Sequence, residues 1–430
     1  MWNSGFVGSS KPTPPGEQLG GTMKSLAPGE RTDDPSISGF HFSDRGPRLF
    51  FLLAILYGAA VLVVWVVFYR LQLPQAVPPV LWHAHEMLYG FAAAGMAGVL
   101  LGLVPRWSNA APVGNVELTV LAIVWLLGRV AMAFIGTIPP WPAAIVDLVF
   151  LPAFVGVVIV PLLAARPSRN LLMLGLCAIL WAGNLTMHAD WLGWTYETAE
   201  RGARIGMDAY LMLIAVLGGY AIPELTNRAL QARGSRATAR SFPPLDGLAI
   251  LSLALYLLSD AMSGTSAATR WIALAAAVLN GARLMLWQGV HIRHAPMLWS
   301  LHLGYFWLVV GLLTEAAALV GGPVVHMAAV HVLTAGAIGT MVIAVVARAG
   351  VAHKGPLLAA HPAVIAAYAL VSLAAILRIV ALFVPDQFVD LVIASGIVWT
   401  LGFFVFLVAY LSTTVFGRVA AGANQPHVTP

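Results

Sequence analysis

From residue 45 onward the chain alternates long apolar runs with short polar breaks, and about 20 apolar residues are what a helix needs to cross a bilayer. The pattern predicts about twelve crossings, at 49–69, 82–104, 116–135, 142–163, 170–188, 205–222, 245–262, 269–288, 297–320, 324–347, 362–384 and 388–415. Connectors as short as 136–141 and 320–323 turn neighbouring helices back as antiparallel hairpins. Backbone groups inside lipid must be satisfied within the segment, so the expected fold is all-α: a polytopic membrane protein built as a helical bundle. Residues 1–44, rich in Gly, Pro and Ser, read as a disordered tail without the basic-then-apolar opening of a cleaved signal peptide. The expected organisation is this tail, a transmembrane domain over 45–418 and a short tail over 419–430.

Composition supports this class, with 60% hydrophobic and 10% charged residues. The net charge of +5 is small for 430 residues and gives no support to nucleic-acid binding. The single cysteine, Cys177, falls inside an apolar run, so this chain alone builds neither a disulfide framework nor a cysteine-held cluster.

Basic residues are retained on the cytoplasmic face of a membrane. Alternate sides of the expected bundle are unequal: one collects most Lys and Arg, while the other holds only Arg70, Arg201, Arg204 and Arg270. Both termini are therefore expected in the cytoplasm, and the polar residues then sort into one layer. His83, His85, Glu86, His188, His326 and His331 fall at outer helix ends. Arg129, Asp147, Glu315 and Arg378 map to the outer half of their runs, with Asp208, Asp260 and Asp390 near the same boundary. A charge at mid-membrane costs ~2.5–3.5 kcal/mol, so such a collection points to a binding site near the outer surface. Five imidazoles at one depth suit metal or haem.

Helical spacing constrains how such a site is built. At ~100° per residue, His83 and His85 point roughly 200° apart, which suits two centres, or one centre and a hydrogen-bonding role, better than one shared ion. His326 and His331 are about 140° apart and also face different neighbours. Met87, Gly90, Ala94, Gly98 and Gly102 share a face with His83, a small-residue stripe that admits a second helix or a flat macrocycle. Arg129 and Arg378 either pair with Asp147 and Glu315 or neutralise an anion such as a haem propionate. His291, His294, His353, His361 and His427, on the other side, are read as headgroup-level residues.

Four stretches carry a family resemblance: WHAHEMLYGFAAAGMAGVLLGLVPRWS, NLTMHADWLG, HLGYFW and HVLTAGAIGTMVIAVVARAGVAHKG. They are similar to the NnrS family of bacterial inner-membrane proteins, and the similarity runs through most of residues 48–416. The resemblance implies a twelve-helix protein holding haem and copper, linked to denitrification and to resistance against nitric oxide. It carries the HxHEM motif onto His83, His85, Glu86 and Met87, the asparagine–histidine pair onto Asn184 and His188, and the later histidines onto His302, His326 and His331. Arg129 and Arg378 match places where the family is expected to hold arginine. His302, by this comparison, either lines a proton route or binds a second cofactor.

Two functions follow as expectations. One is an oxidoreductase or nitric-oxide-handling centre, with metal ligands among His83, His85, His188, His326 and His331, and Glu86 or Glu315 as proton carrier. Its electrons would come from a partner protein or a quinol, because no Gly-rich dinucleotide fingerprint is present. The alternative is a non-catalytic haem or copper carrier, transporter or sensor, for which inverted repeats and broken helices are the expected signs. Pro152 and Pro161, within one run, are the sequence feature in that direction.

Overall fold

The computed structural model describes residues 45–71, 77–164, 167–354 and 362–412. Both expected tails, 1–44 and 419–430, lie outside the described residues. Helices account for the architecture throughout. They are α1 (Arg45–Leu71), α2 (Pro79–His85), α3 (Ala93–Ser108), α4 (Asn115–Ala133), α5 (Pro140–Leu148), α6 (Phe150–Ala164) and α7 (Pro167–Trp191). After them come α8 (Ala199–Gln231), α9 (Pro243–Ser263), α10 (Ala267–Leu286), α11 (Pro296–His331), α12 (Thr340–Lys354), α13 (Pro362–Ala381) and α14 (Phe388–Leu411).

Each of the twelve expected crossings coincides with a helix or a joined pair of helices over its described residues, and 413–415 of the last lie outside them. Ten helical stretches among the described residues are long and apolar enough to span a membrane. One of them, Pro296–Ala349, is a hairpin in disguise: Gly322 takes φ 67° and ψ −155°, a conformation open to glycine, and the chain turns into Pro323. The less apolar α10, carrying Arg270 and Arg283, completes the set by packing between α9 and α11.

Helix faces are sorted inversely to those of a soluble protein. On α4, Val116, Val120, Ile123, Leu127 and Val130 recur at helical spacing and are exposed, whereas Trp125, Gly128, Arg129 and Met132 are buried. An apolar outer face and a charged inner one suit lipid as the solvent. The bundle closes on itself because α14 packs against both α13 and α1, and the Trp399 indole N–H donates to the Gly58 carbonyl at 2.9 Å.

The most buried span is the continuous rod formed by α2, a π-helical segment Glu86–Ala92, and α3. The small-residue stripe of this rod lies along α1. An ideal Cβ on Gly90 would sit 2.7 Å from Tyr57, and one on Gly98 would sit 2.5 Å from Phe51. The wide π turn is held by side chains from neighbouring helices: Tyr210 donates to the Leu88 carbonyl at 2.9 Å, and the Trp125 indole donates to the Gly90 carbonyl at 3.1 Å. A second π segment, Val332–Gly339, follows His331 directly. π turns inside α-helices concentrate at functional sites.

The prolines singled out in the sequence leave a local mark rather than a gap. Pro152 cannot bond the Leu148 carbonyl, helix α5 ends at that residue, and the Trp181 indole N–H of α7 supplies the missing donor at 3.1 Å. Gly202 and Gly206 on α8 bring α7 and α8 together so closely that a Cβ on Gly202 would lie 2.5 Å from the Gly183 carbonyl oxygen.

Candidate metal centre

Helix α2 starts on Pro79, whose fixed φ suits a first helical position, and ends by placing His85 and Glu86 inside the bundle. Helix α4 supplies Arg129, α5 supplies Asp147, and α7 supplies Asn184 and His188, which share a face four residues apart. Because successive helices are antiparallel, all of these positions meet at one end of the bundle. Every one of these side chains is buried.

Asp147 is the hub. Its Oδ2 accepts from the Asn184 amide at 2.8 Å and lies 3.0 Å from His188 Nε2 and 3.1 Å from His85 Nε2. Its Oδ1 accepts from Arg129, whose other terminal nitrogen donates to Glu86 Oε1 at 2.8 Å. Glu86 also faces His85 Nδ1 at 2.8 Å and accepts from the Tyr57 hydroxyl. The Asn184 carbonyl oxygen is 2.9 Å from His85 Nε2. Trp191 packs on both imidazoles, at 5.4 Å from His85 and 5.2 Å from His188, and Tyr89 flanks His85.

Formal charge in this cluster does not balance, since Glu86 and Asp147 face one arginine. A neutral imidazole donates through one nitrogen only, yet both nitrogens of His85 face carboxylates. Either a second ring proton or a bound cation answers that surplus of negative charge. One ligand atom from each of His85, Asp147 and His188 lies within 4.8 Å of the others, a grouping unique among the described residues. Two imidazoles and a carboxylate are the donors favoured by divalent first-row metals. Arg129 and Asn184, bonded to the carboxylate, would orient it as outer partners orient metal ligands. The two rings meet edge to face with centroids 5.3 Å apart and the Asp147 carboxylate against both, an arrangement that fits a single ion and not an intervening macrocycle.

The other expected site residues divide into separate places. His83, two residues before His85, turns away from this cluster and packs on Trp65 with ring centroids 4.8 Å apart. Its Nδ1 is buried without a hydrogen-bond partner among the described residues. His331 and Arg378 are within electrostatic reach of His83, so α11 and α13 approach the same side of α2. His331 Nδ1 is 2.8 Å from the Met327 carbonyl, which leaves Nε2 as the nitrogen open to another partner. The Arg378 guanidinium also lies over the Phe388 ring at 5.6 Å.

His326 joins neither group. Its Nδ1 is 2.7 Å from Glu315, whose other oxygen is 3.9 Å from Arg270. Glu315 therefore pairs with these two and Arg129 with Glu86 and Asp147. His302 sits at the opposite end of the bundle, where Nε2 meets the Thr226 hydroxyl at 3.0 Å and the ring abuts Gly289.

Asp147, Asn184 and Tyr57 complete the cluster without having been singled out as site residues from sequence. A carboxylate within an apolar run was the available signal for Asp147. Asn184 was visible as the partner of His188 in one motif, whereas Tyr57 had no signal, because a tyrosine in an apolar helix is ordinary.

Fold and site together define a polytopic membrane protein with a buried two-histidine, one-carboxylate candidate metal centre. A family model described as NnrS protein matches residues 41–416, most of the chain, and the chain belongs to the NnrS family. Comparison with curated proteins gives no match.

Proposed function

We propose that this chain is a haem- and copper-binding membrane protein of the nitric oxide stress response, handling nitric oxide at a histidine-ligated metal held by His85, Asp147 and His188. The observation that carries the reading is the convergence of these three ligands from three helices in a fully buried, negatively biased cluster. Family membership supplies the link to nitric oxide, and the donor chemistry favours Cu(II), Fe(II) or Zn(II) over Cu(I), which prefers sulfur. Held by His85, Asp147 and His188, a metal would supply a coordination position for a neutral diatomic gas, which crosses lipid without a polar channel.

The protein's own side chains would then do three things. Arg129 holds Glu86 and Asp147 in register. Trp191 and Tyr89 pack over the rings and keep water out. Glu86, bonded to the Tyr57 hydroxyl and to His85, is placed to pass a proton to the site.

A haem is assigned to the second group, where His83 and His331 would be its ligands and Arg378 its propionate partner. The unpartnered Nδ1 of His83 and the carbonyl-oriented ring of His331 support this. On this reading the protein would lie in the bacterial inner membrane with both termini in the cytoplasm, and electrons for turnover would come from a redox protein or a quinol.

The test is metal analysis of purified protein, followed by nitric oxide uptake measured with an electrode. Expected are one transition-metal ion per chain beyond the haem iron in the parent protein, loss of that ion in His188→Ala and in Asp147→Asn, and its retention when the exposed His294 is replaced by alanine. Equal metal content in all four proteins would remove the assignment.

A further inference from the structure

A second buried polar cluster lies at the same end of the bundle, on the far side of α8 from the metal-ligand group. Helices α8, α9, α10 and α11 pack together there. Helix α8 contributes Arg204 and Asp208, α9 contributes Tyr256 and Asp260, α10 contributes Arg270, and α11 contributes Glu315 and His326. The Arg204 guanidinium donates to Asp260 at 3.0 Å, and Glu315 takes His326 and Arg270 as described above. Asp208 is within electrostatic reach of Arg204, Asp260 and Glu315, and Tyr256 faces the same carboxylates.

Asp208 differs from its neighbours. The residue is 2% exposed, and among the described residues neither of its carboxylate oxygens has a hydrogen-bond partner. The two arginines are each engaged by another acid, so this carboxylate is left over in the pairing. A bare buried carboxylate carries a desolvation cost of several kcal/mol, whereas a neutral acid carries only that of a polar group. Something positive must therefore sit on it.

We propose that Asp208 is a membrane-embedded proton-binding site, holding one exchangeable proton as a neutral carboxylic acid inside the α8–α11 cluster. A metal ion fits less well. Calcium and similar cations need several oxygens at once. The acids here do not bring three ligand atoms within 4.8 Å of one another, as His85, Asp147 and His188 do. A proton needs one oxygen. The side chains of Arg204, Arg270 and His326 are 22%, 15% and 18% exposed, so the cluster has an edge at the bundle surface from which protons exchange. The other face of α8 packs on the π segment through Tyr210, which sets the proton store one helix away from the metal-ligand group. The assignment rests on this geometry alone and is independent of which metal the first cluster holds.

Infrared difference spectroscopy on the full-length purified protein tests it. The expected result is a protonated carboxylic acid carbonyl band at neutral pH that shifts on transfer to deuterium oxide. It should shift again when aspartate is labelled with carbon-13, disappear in Asp208→Asn, and persist in Asp260→Asn. Asparagine mimics the neutral acid, so Asp208→Asn should unfold at the temperature of the parent. Four results would overturn the proposal: no such band in the parent protein, a band that persists in Asp208→Asn, a band that responds to glutamate labelling only, or a band abolished at constant pH by sodium or calcium but not by choline. The labelling arm shows in the parent chain that the acid is an aspartate, and Asp208→Glu, which keeps an acid at the position, assigns it if Asp208→Asn fails to fold: the band should then follow the glutamate label, and a band that still follows the aspartate label would overturn the proposal.

Discussion

Replacing Arg129 by methionine isolates the electrostatics of the His85–Asp147–His188 cluster, because methionine keeps an apolar stem of similar reach and removes only the charge and its donors. In the folded protein Arg129 is 5% exposed and bridges Glu86 and Asp147. Without it, the two carboxylates face each other across His85 with no fixed cation. Removing one partner from a buried ion pair costs about 3–5 kcal/mol, and the second carboxylate places Arg129→Met at the upper end of that range. Arg129→Lys keeps the charge but reaches one carboxylate at a time, losing one charged hydrogen bond of about 1.5–3 kcal/mol. The order parent, lysine, methionine is therefore expected in equilibrium unfolding of detergent-solubilised protein followed by tryptophan fluorescence. Adding the metal should narrow the gap, since a cation replaces part of the lost charge and is therefore worth more to the methionine variant than to the parent, in which saturation at 100 times Kd contributes about 2.7 kcal/mol. A methionine variant within about 1 kcal/mol of the parent would refute the claim that these acids depend on Arg129.

Three further outcomes follow from the packing and the ligand assignments. Gly202→Ala should destabilise by about 1–3 kcal/mol or more, since its Cβ would meet the Gly183 backbone 2.5 Å away and a backbone atom cannot swing aside; thermal unfolding reads this directly. Trp181→Phe should cost about 1–3 kcal/mol by orphaning the Leu148 carbonyl, and adding Pro152→Ala, which restores a helical N–H, should recover most of the loss in the double variant. His83→Ala and His331→Ala should each lower the haem content of purified protein, measured by its optical spectrum, while His294→Ala leaves it unchanged; three equal spectra would exclude these ligands.

The class of protein was legible in the residues because crossing lipid imposes length and apolarity on each helix separately, a constraint that needs no partner to be read. The same one-dimensional logic flagged His83, His85, Glu86, His188 and Arg129, since ionisable groups are costly in apolar runs wherever they point. Chain order could not show which of them meet. Asp147 lies 62 positions from His85 and becomes the hub only when α2, α4, α5 and α7 close on one another, and His326 turns to Glu315 rather than to the other imidazoles. Proximity between helices is fixed by packing of their small-residue faces and by pairing of buried charges. Both are properties of several segments at once, and so tertiary structure alone separated one layer of polar residues into the Asp147 cluster, a His83–His331 group and the acids around Asp208.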